Sequence, residues 1–533
     1  MTATRANAIA HVQLMIGMEV HVELATQTKM FTRVANPAAA AIHSGALAGA
    51  HGEAADPHSL APNTLIDPVV LALPGALPVM NLAAVEMSIK VGLALNCAIA
   101  PRTKWDRKSY FYPDLPKAYQ ISQYDLPICF DGSIDVPGTD EQGRIDPNLP
   151  TTRIGIIRAH LEEDAGKLLH EAPGGHAIDC SIVDLNRAGT PLLEIVTQPD
   201  FTSAEQCVAF ARTLRNICRF LGVSEGVMQR GHMRFEPNIN CVLTLHNGHT
   251  VKTPIVEVKN LNSFKSLKGA IEFEAAEQPR RWVADGREMG RGMKVTRGWD
   301  DARGVTFVQR EKEDAHDYRY FPDPDLPPVI IDQAWIDRLR SQVPELPPSR
   351  FARYVNDFDL GTKEAAALVD ERDTCFFYEA CVEQLVARGV ERVRAGKLAA
   401  NFLLQSGAKR ANERGVMIHE LGITPSAVAA VAALREQGRV NPGNADELFG
   451  LLCEDPKADA EALATSRGML IVRDDAAMKR WIEQAVTENA QAAADVRAGK
   501  QAAIGRLVGA VMKLSGGSAD AKTIREELLK HLT

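Results

Sequence analysis

A chain of 533 residues is longer than one hydrophobic core usually sustains, so roughly two to four domains are expected. Its 45% hydrophobic and 24% charged residues exclude a chain dominated by disorder, and 60 Lys+Arg against 68 Asp+Glu, a net charge of -8, exclude a uniformly basic coat for nucleic acid, leaving only local basic faces. Nine cysteines without a CxxC pair signal neither a zinc knuckle nor a disulfide framework and fit a reducing cytosol.

In chain order, "MTATRANAIAHVQ" lacks the apolar stretch of a secretory signal, and runs such as "VVLALPGALPV" are too short and broken to span a bilayer. A cytoplasmic protein with no membrane association is expected. The stretch "MIGMEVHVEL" (15–24) sets Glu19, His21 and Glu23 at every second position, with Met18, Val20, Val22 and Leu24 between them. Strand periodicity sends the polar groups to one face, which either meets water or forms part of a metal or phosphate site completed from elsewhere. The alanine-rich stretch at 36–59 reads as a mobile surface loop. "WDRKSYFYPDLPKAYQISQYDLP" (105–127) puts Tyr110 and Tyr112 on one strand face with Arg107 and Lys108 just upstream. Such a group grips a nucleotide end by stacking and phosphate pairing, or simply packs a loop.

Further along, "IIRAHLEEDAGK" (156–167) brings Glu162, Glu163 and Asp164 together at a strand end. Adjacent carboxylates repel unless water or a cation sits among them, so a solvated turn and an ion site both fit. In "TPLLEIVTQPD" (190–200) Glu194 lies inside an apolar run. A charge there is costly unless paired or metal-bound, although an exposed strand face would also hold it. "TSAEQCVAFARTLRNICRFLG" (202–222) is a helix: Ser203 and Gln206 form a capping box, the apolar residues share a face, and Gly222 ends it. In "MRFEPNINC" (233–241) Glu236 follows Arg234, which allows a salt bridge or a place in the acidic set.

Prolines cluster at "PDPDLPP" and "PELPPSR", and the sequence beyond is helical and rich in alanine. The expected fold is α+β with a mainly antiparallel sheet over 1–340, an all-α domain over 341–455 and a small helical tail over 456–533. Thr424 and Pro425 read as N-cap and first turn of a helix. In the tail, Gly505 and Gly509 stand one turn apart and would let a neighbouring helix approach closely. Taken together, the acidic motifs offer His21, Glu163 and Glu194 as one ligand set, with Glu19 and Glu236 nearby or holding a second ion. Carboxylates suit Mg²⁺ or Mn²⁺, and a histidine is easier for Mn²⁺.

"IGMEVHVEL", the 105–127 stretch, "RAHLEEDAGK", "DLNRAGTPLLEIVTQPD", "EVKNLNSF" and "DYRYFPDPDLP", in this order, closely resemble the B subunit of the aspartyl/glutamyl-tRNA amidotransferase, tightly to about 331 and more loosely after it. The resemblance implies ATP-dependent phosphorylation of the side-chain carboxylate of Asp-tRNA(Asn) or Glu-tRNA(Gln), then displacement of phosphate by ammonia. It also implies a cradle domain around the kinase site, a helical domain and a tail touching tRNA. Carried over by position, His21, Glu163 and Glu194 would bind Mg²⁺ (or Mn²⁺), and Glu19 and Glu236 would serve a second ion or position phosphate. Lys108 would line the ammonia route or neutralise charge, and Glu163 would take a proton from ammonium. Arg107, Tyr110 and Tyr112 would hold substrate, and Lys500, Arg506 and Lys513 would contact tRNA.

Two departures stand out: Glu236 replaces an aspartate common in relatives, and the tail carries fewer lysines. The 36–59 loop lacks the cysteines some relatives use for zinc, so no structural zinc is expected. No GxxxxGK[ST] or GxGxxG occurs, so ATP binding rests on the resemblance. Nor is there a glutaminase signature, and Met1-Thr2 leaves no N-terminal cysteine nucleophile. The resemblance therefore implies two protein partners, an amidase-type glutaminase that supplies ammonia and a small third polypeptide that bridges the two. A tRNA-binding module with structural acids and a free-standing carboxylate-amine ligase are the rival readings.

Overall fold

The computed structural model describes residues 5, 8–39, 60–140, 143, 145–146, 148–172, 176–290, 293–311, 318–471, 475–498, 500–515, 519 and 521–532. Most of the stretch expected to be a mobile loop, 40–59, lies outside the described residues. The chain divides into two compact units, Met1–Pro348 and Ser349–Thr533.

The first unit is built on a ten-stranded sheet. Its strands are β1 (Ile9–Glu23), β2 (Ala98–Ile99), β3 (Cys129–Val136), β4 (Thr152–Glu163), β5 (Pro191–Thr197), β6 (Met233–Leu245), β7 (Thr250–Lys252), β8 (Val256–Lys259), β9 (Val295–Asp300) and β10 (Val305–Glu311). They lie in the order β10-β9-β8-β6-β1-β5-β4-β3-β2, with β7 on β6. Every pairing is antiparallel except β8 with β9. The long central strand β1 alternates as its sequence requires: Ile16, Met18, Val20 and Val22 are buried, while Glu19 and His21 on the opposite face keep partial exposure.

Three helices, α1 (Leu82–Ala94), α2 (Ala204–Phe220) and α3 (Phe264–Asp285), share that apolar core with the sheet. Phe210, Leu214 and Ile217 of α2 pack in one cluster with Val20, Val22 and Ile195. Each such side chain contributes about 1.5–3 kcal/mol on leaving water. The α2 start follows its capping chemistry: Ser203 Oγ accepts from Gln206 N, and Gln206 Oε1 accepts from Thr202 N. Helix α1 sits so close to β3 that a Cβ at Gly92 would lie 2.3 Å from Cys129 Sγ, which requires glycine there.

Beneath α3 a buried ionic network closes on Glu274, which is 0% exposed. Its carboxylate accepts from both Arg281 terminal nitrogens at 2.8 and 3.0 Å, from Thr306 Oγ1 at 2.5 Å and from Gln278 Nε2 at 3.3 Å, with Arg297 Nε at 3.4 Å.

The second unit is helical. Thr424 Oγ1 caps the helix Pro425–Glu436 by accepting from Ala427 N. The helix Ala460–Ser466 packs on Pro425–Glu436 and on Pro442–Glu454, so it belongs with the preceding helices and not with a tail starting at 456. A separate apolar cluster runs from Met478 to Leu532. Among the described residues nothing lies within 4 Å of a Cβ added at Gly505 or Gly509, so no described helix crosses closely there.

Candidate functional site

The face of the sheet opposite the helices carries the acidic motifs in register. His160 of β4 stands opposite Glu194 of β5, Glu194 opposite His21 of β1, and His21 opposite Arg234 of β6. Side chains paired across strands share a face, so four polar groups line up in one row. The neighbouring rows hold Glu19 opposite Glu236, and Glu162 and Glu23 on either side of Leu192.

At the centre, Glu194 Oε2 lies 3.6 Å from both His21 Nε2 and His160 Nε2. Glu236 Oε1 is 3.9 Å from His21 Nδ1. One donor atom each from His21, Glu162 and Glu194 lies within 4.8 Å of the other two. Among the described residues, His21 Nδ1, His160 Nδ1, Glu23 Oε1 and Arg234 Nε are buried without a hydrogen-bond partner. Unsatisfied buried groups are costly and uncommon in a resting fold.

The charges explain the titration of this row. Burial alone would raise Glu194, but His160, His21 and Lys108 together hold its carboxyl well below the usual range. Burial opposes the charge on His21, yet Glu194 and Glu236 raise its pKa. His160 is pulled down to about 4, mainly by burial, and so stays neutral near pH 7. Lys108 is raised against its burial, chiefly by Glu162, with Tyr320 and Glu194 contributing, so its ammonium faces this cluster. The phenol rings of Tyr318 and Tyr320 complete that side, with Lys108 Nζ 5.3 Å from the Tyr318 ring centre and Tyr320 stacked on Tyr124 at 4.1 Å.

Glu163 does not join His21 and Glu194. It is the last residue of β4, one position past Glu162, so strand periodicity turns it to the opposite face. There Glu163 Oε1 accepts from Ile121 N at 2.9 Å and from Lys117 Nζ, beside a small cavity lined by Phe31, Thr32, Lys117 and Gly189. Glu162 takes its place in the triad.

The expected substrate group is also redrawn. The strand that carries Lys108 ends at Ser109, so the alternation does not run on to Tyr112; Tyr110 stays on the side of Lys108, its ring 6.0 Å from that of Tyr318. Tyr110 Oη donates to Gln120 Oε1 at 3.2 Å, and Tyr112 is exposed. Arg107 alternates away from Lys108 and is taken up by Asp323 and Asp325, at 2.7 and 3.1 Å, with its guanidinium over the Tyr119 ring. In the tail, Arg506 and Lys513 are exposed on one helix, Ile504–Leu514, and Lys500 pairs with Asp495 at 3.1 Å.

A second acidic triad adjoins the first. Glu19, Glu236 and Glu257 offer atoms within 4.8 Å of one another. Asn238 Nδ2 donates to Glu19 Oε1 at 2.9 Å, and Thr296 Oγ1 donates to Glu257 Oε2 at 3.3 Å. Lys259 Nζ lies 2.5 Å from Glu236 Oε2 and 3.0 Å from Glu257 Oε1, while Lys294 Nζ lies 3.2 Å from Glu257 Oε2 and 3.6 Å from Glu19 Oε1.

Sequence reasoning missed His160, Glu162, Glu257, Lys259 and Lys294. The signal for the first two was the alternation of "HLEE" itself, which allows only one of Glu162 and Glu163 on the face of His160. For Glu257 and Lys259 it was the same alternation in "VEVK".

The sequence matches two family profiles, "GatB/GatE catalytic domain" over residues 14–337 and "GatB domain" over 381–532. It is 40% identical to a protein of Thermomicrobium roseum over 523 residues, 97% of this chain and 99% of that one. A protein of Thermobifida fusca is 41% identical over 525 residues, 97% of this chain and 93% of its own. One from Cupriavidus pinatubonensis is 38% identical over 522 residues, 98% and 99% respectively. All three are named as the B subunit of an aspartyl/glutamyl-tRNA(Asn/Gln) amidotransferase.

Proposed function

The chain belongs to the family of aspartyl/glutamyl-tRNA(Asn/Gln) amidotransferase B subunits, and from that premise we propose that it activates the side-chain carboxylate of Asp-tRNA(Asn) or Glu-tRNA(Gln) with ATP and amidates it with ammonia. It is one subunit of an aminoacyl-tRNA amidotransferase complex. A carboxylate is a poor electrophile. Transfer of the γ-phosphoryl group to one of its oxygens releases ADP and gives an acyl phosphate; ammonia then attacks the carbonyl carbon and inorganic phosphate leaves.

The observation that carries this reading is the convergence of His21, Glu162 and Glu194 beside buried polar atoms that have no partner. One imidazole and two carboxylates fit a divalent cation, Mg²⁺ or, with easier acceptance of the nitrogen, Mn²⁺. Bound there, the ion would neutralise oxygens of the nucleotide phosphates. Lys108 would offset the charge that grows on the acyl phosphate. Glu163, with Lys117 on the other side of the strand end, would take the proton that ammonium must lose before it can attack.

A run of exposed apolar side chains, Leu73, Leu77 and Val79, adjoins a cavity lined by Val69, Leu73, Pro116 and Lys117. This supports docking of an amidase-type glutaminase on that side, with a small third polypeptide bridging the two. Arg506 and Lys513, seven residues apart on one helix, support a tRNA contact by the tail, with Lys500 beside them. Among the described residues no helix is long and apolar enough to cross a membrane, and the reading includes a cytoplasmic site of action.

The test supplies the complex with aspartyl- and glutamyl-tRNA side by side, ATP, Mg²⁺ and ammonium chloride. Asparaginyl- or glutaminyl-tRNA is the expected product. Binding without amide formation would leave a tRNA-binding module, and ATP cleavage driven by a free amino acid alone would leave a tRNA-independent ligase.

A further inference from the structure

The two acidic triads on the polar face look equivalent as donor sets but differ in what already occupies them. Each gathers three donor atoms within 4.8 Å. In the first, the groups around Glu194 are two imidazoles at 3.6 Å and Arg158 Nη2 at 4.0 Å, with the Lys108 ammonium facing the cluster, and the ring nitrogens His21 Nδ1 and His160 Nδ1 have no hydrogen-bond partner among the described residues. In the second, every carboxylate touches an ammonium group. Lys259 bridges Glu236 and Glu257, and Lys294 bridges Glu257 and Glu19, so charges alternate along one chain: Glu236, Lys259, Glu257, Lys294, Glu19. An ammonium group already sits within 3.6 Å of every carboxylate of this triad, so a divalent ion would have to displace two cations seated among the same oxygens.

We propose that Lys259 and Lys294 stand where a second divalent ion would otherwise sit, and that their ammonium groups are this chain's own contacts to the phosphate groups of the nucleotide. The inference rests on the phosphoryl-transfer reading above. Sites of that chemistry place two positive centres around the reacting phosphate, and nothing requires both to be metals. The exposures point the same way. The Lys259 and Lys294 side chains are 35% and 33% accessible while Glu236 and Glu257 behind them are 12% and 4%, so an anion arriving from solvent meets the ammonium groups before those two carboxylates, with only Glu19, at 27%, comparably open. The two clusters meet at Glu236, whose Oε1 faces His21 and whose Oε2 holds Lys259. A phosphate lying over Glu236 would thus have the first triad on one side and the lysine pair on the other. This assigns Glu19, Glu236 and Glu257 the task of aiming lysines, in place of the second ion expected from sequence.

The test counts ions and does not depend on turnover. Nucleotide-free protein is titrated with Mn²⁺ and bound ion is measured by electron paramagnetic resonance. The wild type is expected to bind one ion, and Lys259→Met/Lys294→Met, with its carboxylates released, is expected to bind two. Lys259→Arg/Lys294→Arg, which keeps both charges, should return the count to one, and circular dichroism confirms that the variants fold. In parallel, the Met variant should bind a non-hydrolysable ATP analogue at least about tenfold more weakly with unchanged tRNA affinity. A wild type that binds two ions overturns the inference, as does a folded Met variant that still binds one and holds the analogue as tightly as wild type. If the count rises from one to two while the complex forms no amide, the lysine assignment stands and the reaction assigned above falls.

Discussion

Glu274 is a fully buried carboxylate of the first unit and Glu194 a largely buried one, with 12% of its side chain accessible, and their surroundings treat them in opposite ways. Glu274 is saturated: two arginines, a threonine and a glutamine close on it from α3, β9 and β10. Glu194 has two imidazoles at 3.6 Å, outside good hydrogen-bond distance, with unpartnered ring nitrogens beside it. Burial opposes the charge in both places, more completely at Glu274, but only the first network offsets it within the fold. The difference teaches that an acidic residue in an apolar setting is informative only together with its partners: complete partnering marks a structural tie, incomplete partnering marks a place prepared for something that arrives.

The comparison breaks most visibly at Glu194. Glu194→Gln should abolish amide formation in the complex while leaving tRNA binding and the melting temperature near wild type; retained turnover would remove it from the site. The mirror experiment is Glu274→Ala, which strands Arg281 and Arg297 and should cost about 3–5 kcal/mol in urea unfolding, with amidation per folded molecule preserved. A finer cut separates neighbours on one strand. Glu162→Gln should weaken Mn²⁺ binding by at least the ~10–100-fold lost when a ligand's supporting group is removed, whereas Glu163→Gln should leave Mn²⁺ affinity intact and slow only the ammonia-dependent step.

The smallest effect is a pH slope. Burial, then the neighbouring Asp164 carboxylate, push Glu23 up to about 8 from its ordinary 4.5. A carboxyl raised in the fold stabilises fully below its unfolded value and loses that stability as pH climbs through its folded one. Wild type should therefore lose melting temperature between about pH 5 and about pH 9, and Glu23→Gln, which stays neutral, should flatten that loss. Parallel slopes for the two proteins would show that Glu23 titrates normally.

What was legible in the sequence was local or parity-based. Ser203 with Gln206 and Thr424 with Pro425 fixed their helix starts because capping is decided within one turn. The alternation around His21 exposed a polar face because period 2 needs no partner to be read. Which residues join that face depends on cross-strand register, and register comes from distant packing: His160 and Glu162 qualified and Glu163 did not, a choice the run of three acids hides. Arg107 and Tyr112 lie away from that row for a related reason, since the short strand stops at Ser109 and Asp323 and Asp325, more than two hundred residues on, capture the arginine. The glycines of the tail misled because spacing alone does not say whether a neighbour lies against them.

The parity of β4 has an evolutionary corollary. Beyond the irregularity that β4 carries opposite Val196 and Thr197, inserting or deleting one residue between Ala159 and Glu162 would exchange Glu162 with its neighbour across the sheet, carrying each carboxylate into the wrong compartment although no functional residue had been altered. Length variation in descendants of this chain should therefore collect in the turn before Thr152 or in the Lys167–Asp184 hairpin, and the strand between them should tolerate replacement far better than any change in its count.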